Sequence, residues 1–179
     1  LLYPAFDDTD GLFADSVEKR LGYPMVVKEA YGSFGAQVYL AKNRSELDAL
    51  RNRLKYMPHL YQRYVKNSSG EDIRIIVVGG KAVAAMKRKN NGDFRANIEL
   101  GGVGEKYIPS SEQVELSERI CRLLGADYIG VDLLFDKDKT LLCEVNTNAH
   151  FMFISDCTGV DVAKLYVGHV MEEIYGRAD

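Results

Sequence analysis

Short runs of apolar residues separated by polar turns fill the first third of the chain. Met25–Lys28, Val38–Leu40 and His59–Val65 have the length and the branched or aromatic side chains of β-strands. A helix is predicted over Asp10–Arg20, and a second one begins near Ser45. This part of the chain therefore predicts a small unit of three strands and two helices.

Two longer hairpins are predicted further along. The runs Ile73–Val78 and Lys81–Met86 are separated by two glycines, which is a strong signal for a tight hairpin turn. Tyr128–Phe135 and Leu141–Asn146 form a second pair across a short charged turn. Their connections are too short for the crossovers of a parallel sheet, so the pattern indicates antiparallel pairing.

Helical spacing returns in the last third of the chain. Apolar residues recur at helical intervals over Ser111–Leu124 and again over about Val160–Tyr175, the second helix being predicted to have Thr158 and Asp161 as caps. The stretch 90–104 is rich in glycine and asparagine and predicts a loop. Hairpins mixed with a few helices indicate an α+β fold.

Composition narrows the class of protein. The chain has 179 residues, 46% hydrophobic and 27% charged, which is typical of a folded domain. No apolar run approaches the roughly 18 residues of a membrane span. The net charge of −3 argues against a nucleic-acid-binding domain, where a basic excess is usual. We therefore expect neither a membrane nor a nucleic acid as a partner.

Charge is unevenly distributed along the chain. Residues 62–105 carry 8 basic and 5 acidic groups, a net of +3, and residues 106–179 carry 7 and 13, a net of −6. A basic middle before an acidic end suits an anionic ligand held with a metal ion, although chance variation explains it equally well. The three cysteines form no CxxC pair, which predicts reduced thiols and a cytoplasmic location.

The second hairpin carries the strongest candidate site. Because side chains alternate along a strand, Asp132 shares a face with Gly130, and Glu144 and Asn146 share a face with Leu142, opposite Leu141, Cys143 and Val145. The hairpin then brings Asp132, Glu144 and Asn146 together. Two carboxylates and an amide oxygen suit Mg²⁺ or Mn²⁺. The alternative is an ordinary solvent-facing polar surface.

A second candidate lies after the first predicted strand. Lys28 precedes a loop with Gly32, Ser33 and Gly35, whose backbone N–H groups could approach phosphate oxygens. An ordinary turn between two strands fits the same pattern. The loop lacks the Gly-Lys-Ser/Thr ending of a Walker A motif.

These segments resemble a known family when they are taken in order. Residues 22–28 with 32–35 resemble the phosphate-binding segment of ATP-grasp enzymes. Five further segments follow in the order of RimK-like glutamate ligases: Gly70–Arg74, Val83–Arg88, Asp93–Asn97, Gly130–Leu134 and Cys143–Asn146. The resemblance covers nearly the whole chain.

The resemblance implies an ATP-grasp fold with two α+β lobes that hold ATP, a small lobe over 1–61 and a large lobe over 62–179. Implied ATP-binding residues are the loop residues Lys28, Gly32, Ser33 and Gly35, the hinge Gln62, Arg63, Tyr64 and Val65, and the pocket residues Asp72 and Arg74. Implied metal ligands are Asp132, Glu144 and Asn146. Implied catalytic residues near the phosphates and the acyl substrate are Arg88, Arg95 and Asn97.

The reaction that the resemblance implies joins a carboxylate to an amine. ATP phosphorylates the carboxylate, and the amine, for example that of glutamate, then attacks the acyl phosphate of a peptide or a small molecule. Arg63 and Gln37 depart from the residues common in relatives, Glu and Gly. A phosphotransferase and a nucleotide-binding module without catalysis are the two alternatives.

Family members also carry a further N-terminal domain. The chain begins Leu1-Leu2-Tyr3-Pro4, without an initiator methionine. We therefore expect it to be part of a longer protein and to catalyse poorly by itself. A homo-oligomer is also compatible with the family.

Overall fold

The computed structural model describes residues 11–176, which divide into two compact units, one ending at Lys66 and the other beginning at Asn67. The sequence places this division after residue 61. Antiparallel sheets and helices make up both units, so the predicted α+β class is confirmed. In the described part of the chain, no helix has the length and apolar character needed to cross a lipid bilayer.

The first unit is a three-stranded antiparallel sheet with two helices. Its elements, in chain order, are α1 Leu12–Leu21, β1 Met25–Glu29, β2 Val38–Ala41, α2 Arg44–Arg53 and β3 His59–Arg63. The strand order is β2-β1-β3, with β1 in the centre. Its core is formed by buried side chains from the sheet and both helices: Val17, Met25, Val27, Ala41, Leu47, Leu54 and Tyr61.

The second unit is a five-stranded antiparallel sheet with three helices. Its strands are β4 Glu71–Val78, β5 Lys81–Lys89, β6 Val103–Lys106, β7 Tyr128–Asp136 and β8 Lys139–Asn146. Its helices are α3 Ser111–Leu124, α4 Met152–Thr158 and α5 Val162–Tyr175. The strand order is β6-β5-β4-β7-β8, which contains both predicted hairpins.

Each face of the larger sheet has its own core. Ile73, Ile75 and Val77 of β4 pack on the α3 side with Cys121. The alternate residues Ile76 and Val78 face the other way and pack with Ile154 of α4 and Val162 of α5. The period of two along β4 therefore separates two apolar layers.

α3 has clear signals at both ends. The Ser110 side chain accepts a hydrogen bond from the Gln113 backbone N–H, and the Gln113 side chain accepts one from the Ser110 N–H. This capping box satisfies two N–H groups that a helix start otherwise leaves without partners. Gly125 ends the helix at φ 59°, in the left-handed region that glycine adopts without strain.

Four predictions about local structure need correction. β6 begins at Val103, inside the stretch 90–104 that is predicted to be a loop, and α4 is absent from the prediction. α5 begins at Val162, with the Asp161 carboxylate accepting from the Lys164 N–H. Thr158 instead ends α4, where its hydroxyl donates to the Ile154 carbonyl. α2 is capped by Asn43 rather than begun at Ser45, and α1 is described only from Leu12.

Gly130 of β7 lies against the loop that follows β8. A Cβ added at Gly130 would lie 2.5 Å from Ala149 Cβ and 3.5 Å from Ile76 Cδ1. Ala149 is itself buried, so it has little room to move. Gly130 therefore allows the chain after Asn146 to close over the sheet.

We predict that Gly130→Ala lowers the free energy of unfolding by about 1–3 kcal/mol, because it overpacks this contact. Gly168→Ala is the matched control. Gly168 lies inside α5 with no atom within 4 Å of an added Cβ, so alanine there should raise stability by up to about 1 kcal/mol. Urea denaturation measures both changes. Equal effects of the two substitutions would contradict the close packing at Gly130.

Candidate functional site

Two carboxylates lie directly opposite each other on β7 and β8. Asp132 pairs with Glu144, and Gly130 pairs with Asn146. Side chains of paired residues project from the same side of a sheet, so Asp132, Glu144 and Asn146 share one face. This is the arrangement that the alternation of the two strands predicts.

The predicted faces of Leu141 and Leu142 are wrong. β8 has a bulge at Cys143, just before Glu144, because Leu142 pairs with Leu133 and Cys143 is passed over. Leu133 packs in the core under α3, so Leu142 belongs to that face of the sheet rather than to the face of Glu144. The two-residue alternation predicted the opposite because it assumes an unbroken ladder.

Arg74 of β4 extends the polar row across a third strand. It pairs with Asp132 in the sheet register, so Arg74, Asp132 and Glu144 lie side by side on consecutive strands. Arg74 Nε donates to Asp132 Oδ1 and Nη2 donates to Oδ2, both at 2.7 Å. The bidentate geometry is the strongest form of an arginine–carboxylate pair.

Arg88 of β5 connects this row to a second aspartate. Its Nε and Nη2 donate to the two oxygens of Asp72, both at 2.6 Å, and Nη2 also donates to Asp132 Oδ2 at 2.8 Å. Arg88 is 3% exposed. We call Asp72, Arg74, Arg88 and Asp132 the buried ion cluster. The cluster balances two positive charges against two negative ones, as burial of charge requires.

The cluster favours the charged forms of Asp132 and Arg88, whereas burial outweighs the effect of Arg88 at Asp72 and raises the pKa of that carboxyl. Burial alone would raise the pKa of Asp132, but the guanidinium groups of Arg88 and Arg74 outweigh it and lower that pKa to about 2. Burial alone would lower the pKa of Arg88, but Asp132 and Asp72 raise it instead. Asp132 is therefore a carboxylate, the form that coordinates a cation, at physiological pH.

The side chains on this face are of the types that bind hard cations such as Mg²⁺. Glu144 is exposed, and no hydrogen bond or ion pair within residues 11–176 occupies its carboxylate. Asn146 Oδ1 accepts a hydrogen bond from the Asn148 N–H at 2.8 Å. A cation bound to Asn146 would therefore share this oxygen with the Asn148 N–H. Within the same residues, His, Cys, Asp and Glu form no metal-holding group of three or more. The donor set therefore consists of two carboxylates and one amide.

The glycine loop of the first unit follows β1. Lys28 pairs with Val38 and Leu60 in the sheet. The Ser33 backbone N–H donates to Gln37 Oε1 at 3.2 Å, so the Gln37 side chain folds back on the loop. Gly35 has φ 74°, a conformation that glycine adopts without strain.

The predicted adenine hinge begins at the end of β3. Gln62 pairs with Val26 and Arg63 with Met25, so both belong to the three-stranded sheet. Tyr64 and Val65 follow the strand, before a 3₁₀ turn at Lys66–Ser68. Arg63 is exposed.

Arg95 and Asn97 lie in the loop between β5 and β6. Arg95 Nε and Nη2 donate to the two oxygens of Asp93, at 2.9 and 2.6 Å, and its guanidinium lies 5.5 Å from the Phe94 ring centre. The Asn97 carbonyl accepts from the Leu100 and Gly102 N–H groups. The loop is also tied to the turn before β4, since the Phe94 carbonyl accepts a hydrogen bond from the Gly70 N–H at 2.8 Å.

Comparison with known proteins identifies the family. The profile described as the RimK-like ATP-grasp domain matches residues 7–170. The chain belongs to the RimK-like ATP-grasp family. The expected resemblance and the expected ATP-grasp fold are thereby confirmed.

Two curated relatives of this ATP-grasp chain have related names. It is 37% identical over 160 residues to beta-citrylglutamate synthase B of Danio rerio, covering 88% of the chain and 40% of the relative. It is 35% identical over 160 residues to N-acetylaspartylglutamate synthase A of Homo sapiens, covering 88% and 41%. The chain thus spans about 40% of the length of these relatives.

A solved structure shares the fold of this RimK-like domain. The ATP-grasp ligase PsnB, in complex with a minimal precursor, Mg and ADP, superposes with a TM-score of 0.70 at 18% identity. The match covers 96% of the chain and 52% of PsnB. At this identity the likeness concerns the fold alone.

We predict that Arg88→Met lowers the free energy of unfolding by about 3–5 kcal/mol, because it leaves two buried carboxylates without their shared partner. The control is Arg122→Met, which removes an equal charge from an arginine that is 59% exposed and 3.8 Å from Glu118. That change should cost less than about 1 kcal/mol. Equal losses in chemical denaturation would contradict a structural role for the cluster.

Proposed function

We propose that the chain is the ATP-binding part of an ADP-forming carboxylate–amine ligase. The observation that carries the proposal is the pairing of Asp132 with Glu144 on one sheet face, beside the buried Arg88 and the partly buried Arg74, in a RimK-like ATP-grasp domain. Carboxylates and cationic groups on one face are what binding and transfer of a phosphoryl group require. The activity is proposed for a protein of the length of the relatives, of which this chain forms about two fifths.

The proposed reaction has two steps that balance. A carboxylate oxygen of one substrate attacks the γ-phosphorus of ATP, and ADP leaves. The amine nitrogen of the second substrate then attacks the acyl carbon, phosphate leaves, and the nitrogen gives up a proton as the amide bond forms. Neither step needs a covalent nucleophile from the protein.

Each candidate residue has a proposed role. Lys28 and the backbone of Gly32, Ser33 and Gly35 bind the ATP phosphates, and Gln62, Arg63, Tyr64 and Val65 flank the adenine. Asp132, Glu144 and Asn146 hold Mg²⁺ or Mn²⁺, which neutralises the phosphate charge when bound. Arg88, Arg95 and Asn97 act near the transferred phosphoryl group, and Asp72 and Arg74 shape the pocket.

Glutamate is the proposed amine substrate. Both curated relatives are named for products that contain glutamate. The carboxylate substrate is proposed to be a small molecule or a peptide. We also propose a cytoplasmic location, since Cys121, Cys143 and Cys157 are all free thiols.

Lys28→Ala should weaken binding of Mg-ATP about tenfold, because a lysine contact to phosphate is a charge-assisted interaction. Calorimetry on the 179-residue chain measures the affinity. Lys42→Ala is the matched control, since it removes an equal charge from an exposed position in the same unit. If both variants bind ATP as tightly as the parent chain, Lys28 is not a phosphate ligand.

Product analysis tests the reaction. The experiment uses a protein that contains this chain and has the full length of the relatives. It is incubated with ATP, Mg²⁺, glutamate and a panel of carboxylates. We expect ADP, free phosphate and an amide product with the mass of the two substrates less one water. A stable phosphorylated product would favour a kinase, and absence of ATP consumption throughout would favour a binding module.

The double variant Asp132→Asn with Glu144→Gln should abolish this metal-dependent turnover. Its control is Asp138→Asn with Glu112→Gln, which alters two exposed carboxyl groups of the same unit. Loss of activity in both double variants would point to a general charge effect rather than to a metal site.

A further inference from the structure

Asp132 has little capacity left for a cation. A carboxylate offers about four lone-pair positions on its two oxygens. Oδ1 accepts one hydrogen bond, from Arg74 Nε. Oδ2 accepts two, from Arg74 Nη2 and Arg88 Nη2. Three of the four positions are therefore occupied by arginine, and Arg74 occupies one on each oxygen.

We propose that Arg74 is the internal counter-ion of Asp132 and competes directly with the divalent cation for it. This inference rests on the proposed metal site. Arg74 lies on β4 and Glu144 on β8, on the two sides of Asp132 in one cross-strand row. Arg74 engages both oxygens of Asp132, so a cation held between Asp132 and Glu144 either shares Oδ1 with Arg74 or displaces one of the two hydrogen bonds of Arg74.

Arg74 yields more readily than Arg88. Arg88 is 3% exposed at its side chain and is held by both oxygens of Asp72 in addition to Asp132. The Arg74 side chain is 12% exposed, and Asp132 is its carboxylate partner within the part of the chain that the structure describes. When Arg74 withdraws, Arg88 still neutralises Asp72, and the cation replaces the lost positive charge at Asp132.

Charge repulsion adds to the competition for oxygens. A guanidinium and a divalent cation that share one carboxylate repel each other strongly in a low-dielectric site. Arg74 therefore lowers the affinity for the metal in the absence of nucleotide. Arg74 is a positioning residue in this sense, because it acts on the cation through Asp132.

The test measures Mn²⁺ binding to the 179-residue chain without nucleotide, by electron paramagnetic resonance of free Mn²⁺. Arg74→Met should bind Mn²⁺ at least about tenfold more tightly than the parent chain, the factor that corresponds to one charge-assisted hydrogen bond. Arg122→Met removes an equal charge from α3 and should leave the affinity unchanged. Equal or weaker binding by Arg74→Met would overturn the proposal.

Arg74→Lys keeps the charge but cannot form the bidentate pair, and it covers the case in which Arg74→Met does not fold. It should bind Mn²⁺ more tightly than the parent chain, by a smaller factor than Arg74→Met. A thermal melt gives a second readout, because Mn²⁺ should raise the melting temperature more in either Arg74 variant than in the parent chain. An equal rise in all three would overturn the proposal.

Asp132→Asn distinguishes failure of the proposed metal site from failure of the proposed role of Arg74. If Asp132→Asn removes Mn²⁺ binding while Arg74→Met has the same affinity for Mn²⁺ as the parent chain, the metal site is supported and the proposed role of Arg74 is wrong. Two outcomes would contradict both the metal site and the role of Arg74. One is unchanged Mn²⁺ binding in Asp132→Asn, and the other is that neither the parent chain nor Arg74→Met binds Mn²⁺ at millimolar concentration.

Discussion

Arg88 holds the polar face of the second unit together by contacting Asp72 and Asp132 at once. Its Nη2 donates to Asp72 Oδ2 at 2.6 Å and to Asp132 Oδ2 at 2.8 Å, so the two carboxylate oxygens meet at one nitrogen. Two negative charges about 4 Å apart repel by about 4 kcal/mol at the effective dielectric of a protein. The guanidinium of Arg88 attracts both carboxylates and offsets their repulsion. It therefore allows two acidic side chains to lie beside an apolar core.

Asp72 and Arg88 lie opposite each other because β5 contains a bulge. An unbroken hairpin across Gly79-Gly80 would pair Asp72 with Lys87. The bulge leaves Val83 outside the pairing, so that Asp72 faces Arg88 instead. Lysine offers a single ammonium group, whereas the planar fork of arginine binds one aspartate with two atoms and still reaches the other. One skipped residue therefore decides whether a bidentate pair forms at this position.

The sequence predicts the shared face of Asp132, Glu144 and Asn146 because strand alternation needs only local information. It predicts the hairpins from Gly79-Gly80 and from the charged turn before β8 for the same reason. The bulges at Val83 and Cys143 could not be predicted, since a skipped residue depends on how neighbouring strands pack rather than on its own type. α4 was missed because seven residues give too few turns for a helical period to stand out. The Asp72–Arg88 pair could not be predicted for the same reason, because it depends on the shifted register of β4 and β5.

The same cluster also constrains how a phosphoryl-transfer site can be assembled on this sheet. Its two arginines and two aspartates sum to zero charge, so Asp132 is stable without any ligand, and the exposed Glu144 carries the excess negative charge of the row. A divalent cation therefore meets one carboxylate that is available and one that is already paired. Binding through Glu144 costs little, whereas binding through Asp132 requires an arginine to move. In the proposed ligase, the negative charge of ATP would attract a displaced guanidinium, so that binding of the metal and of the nucleotide would favour each other.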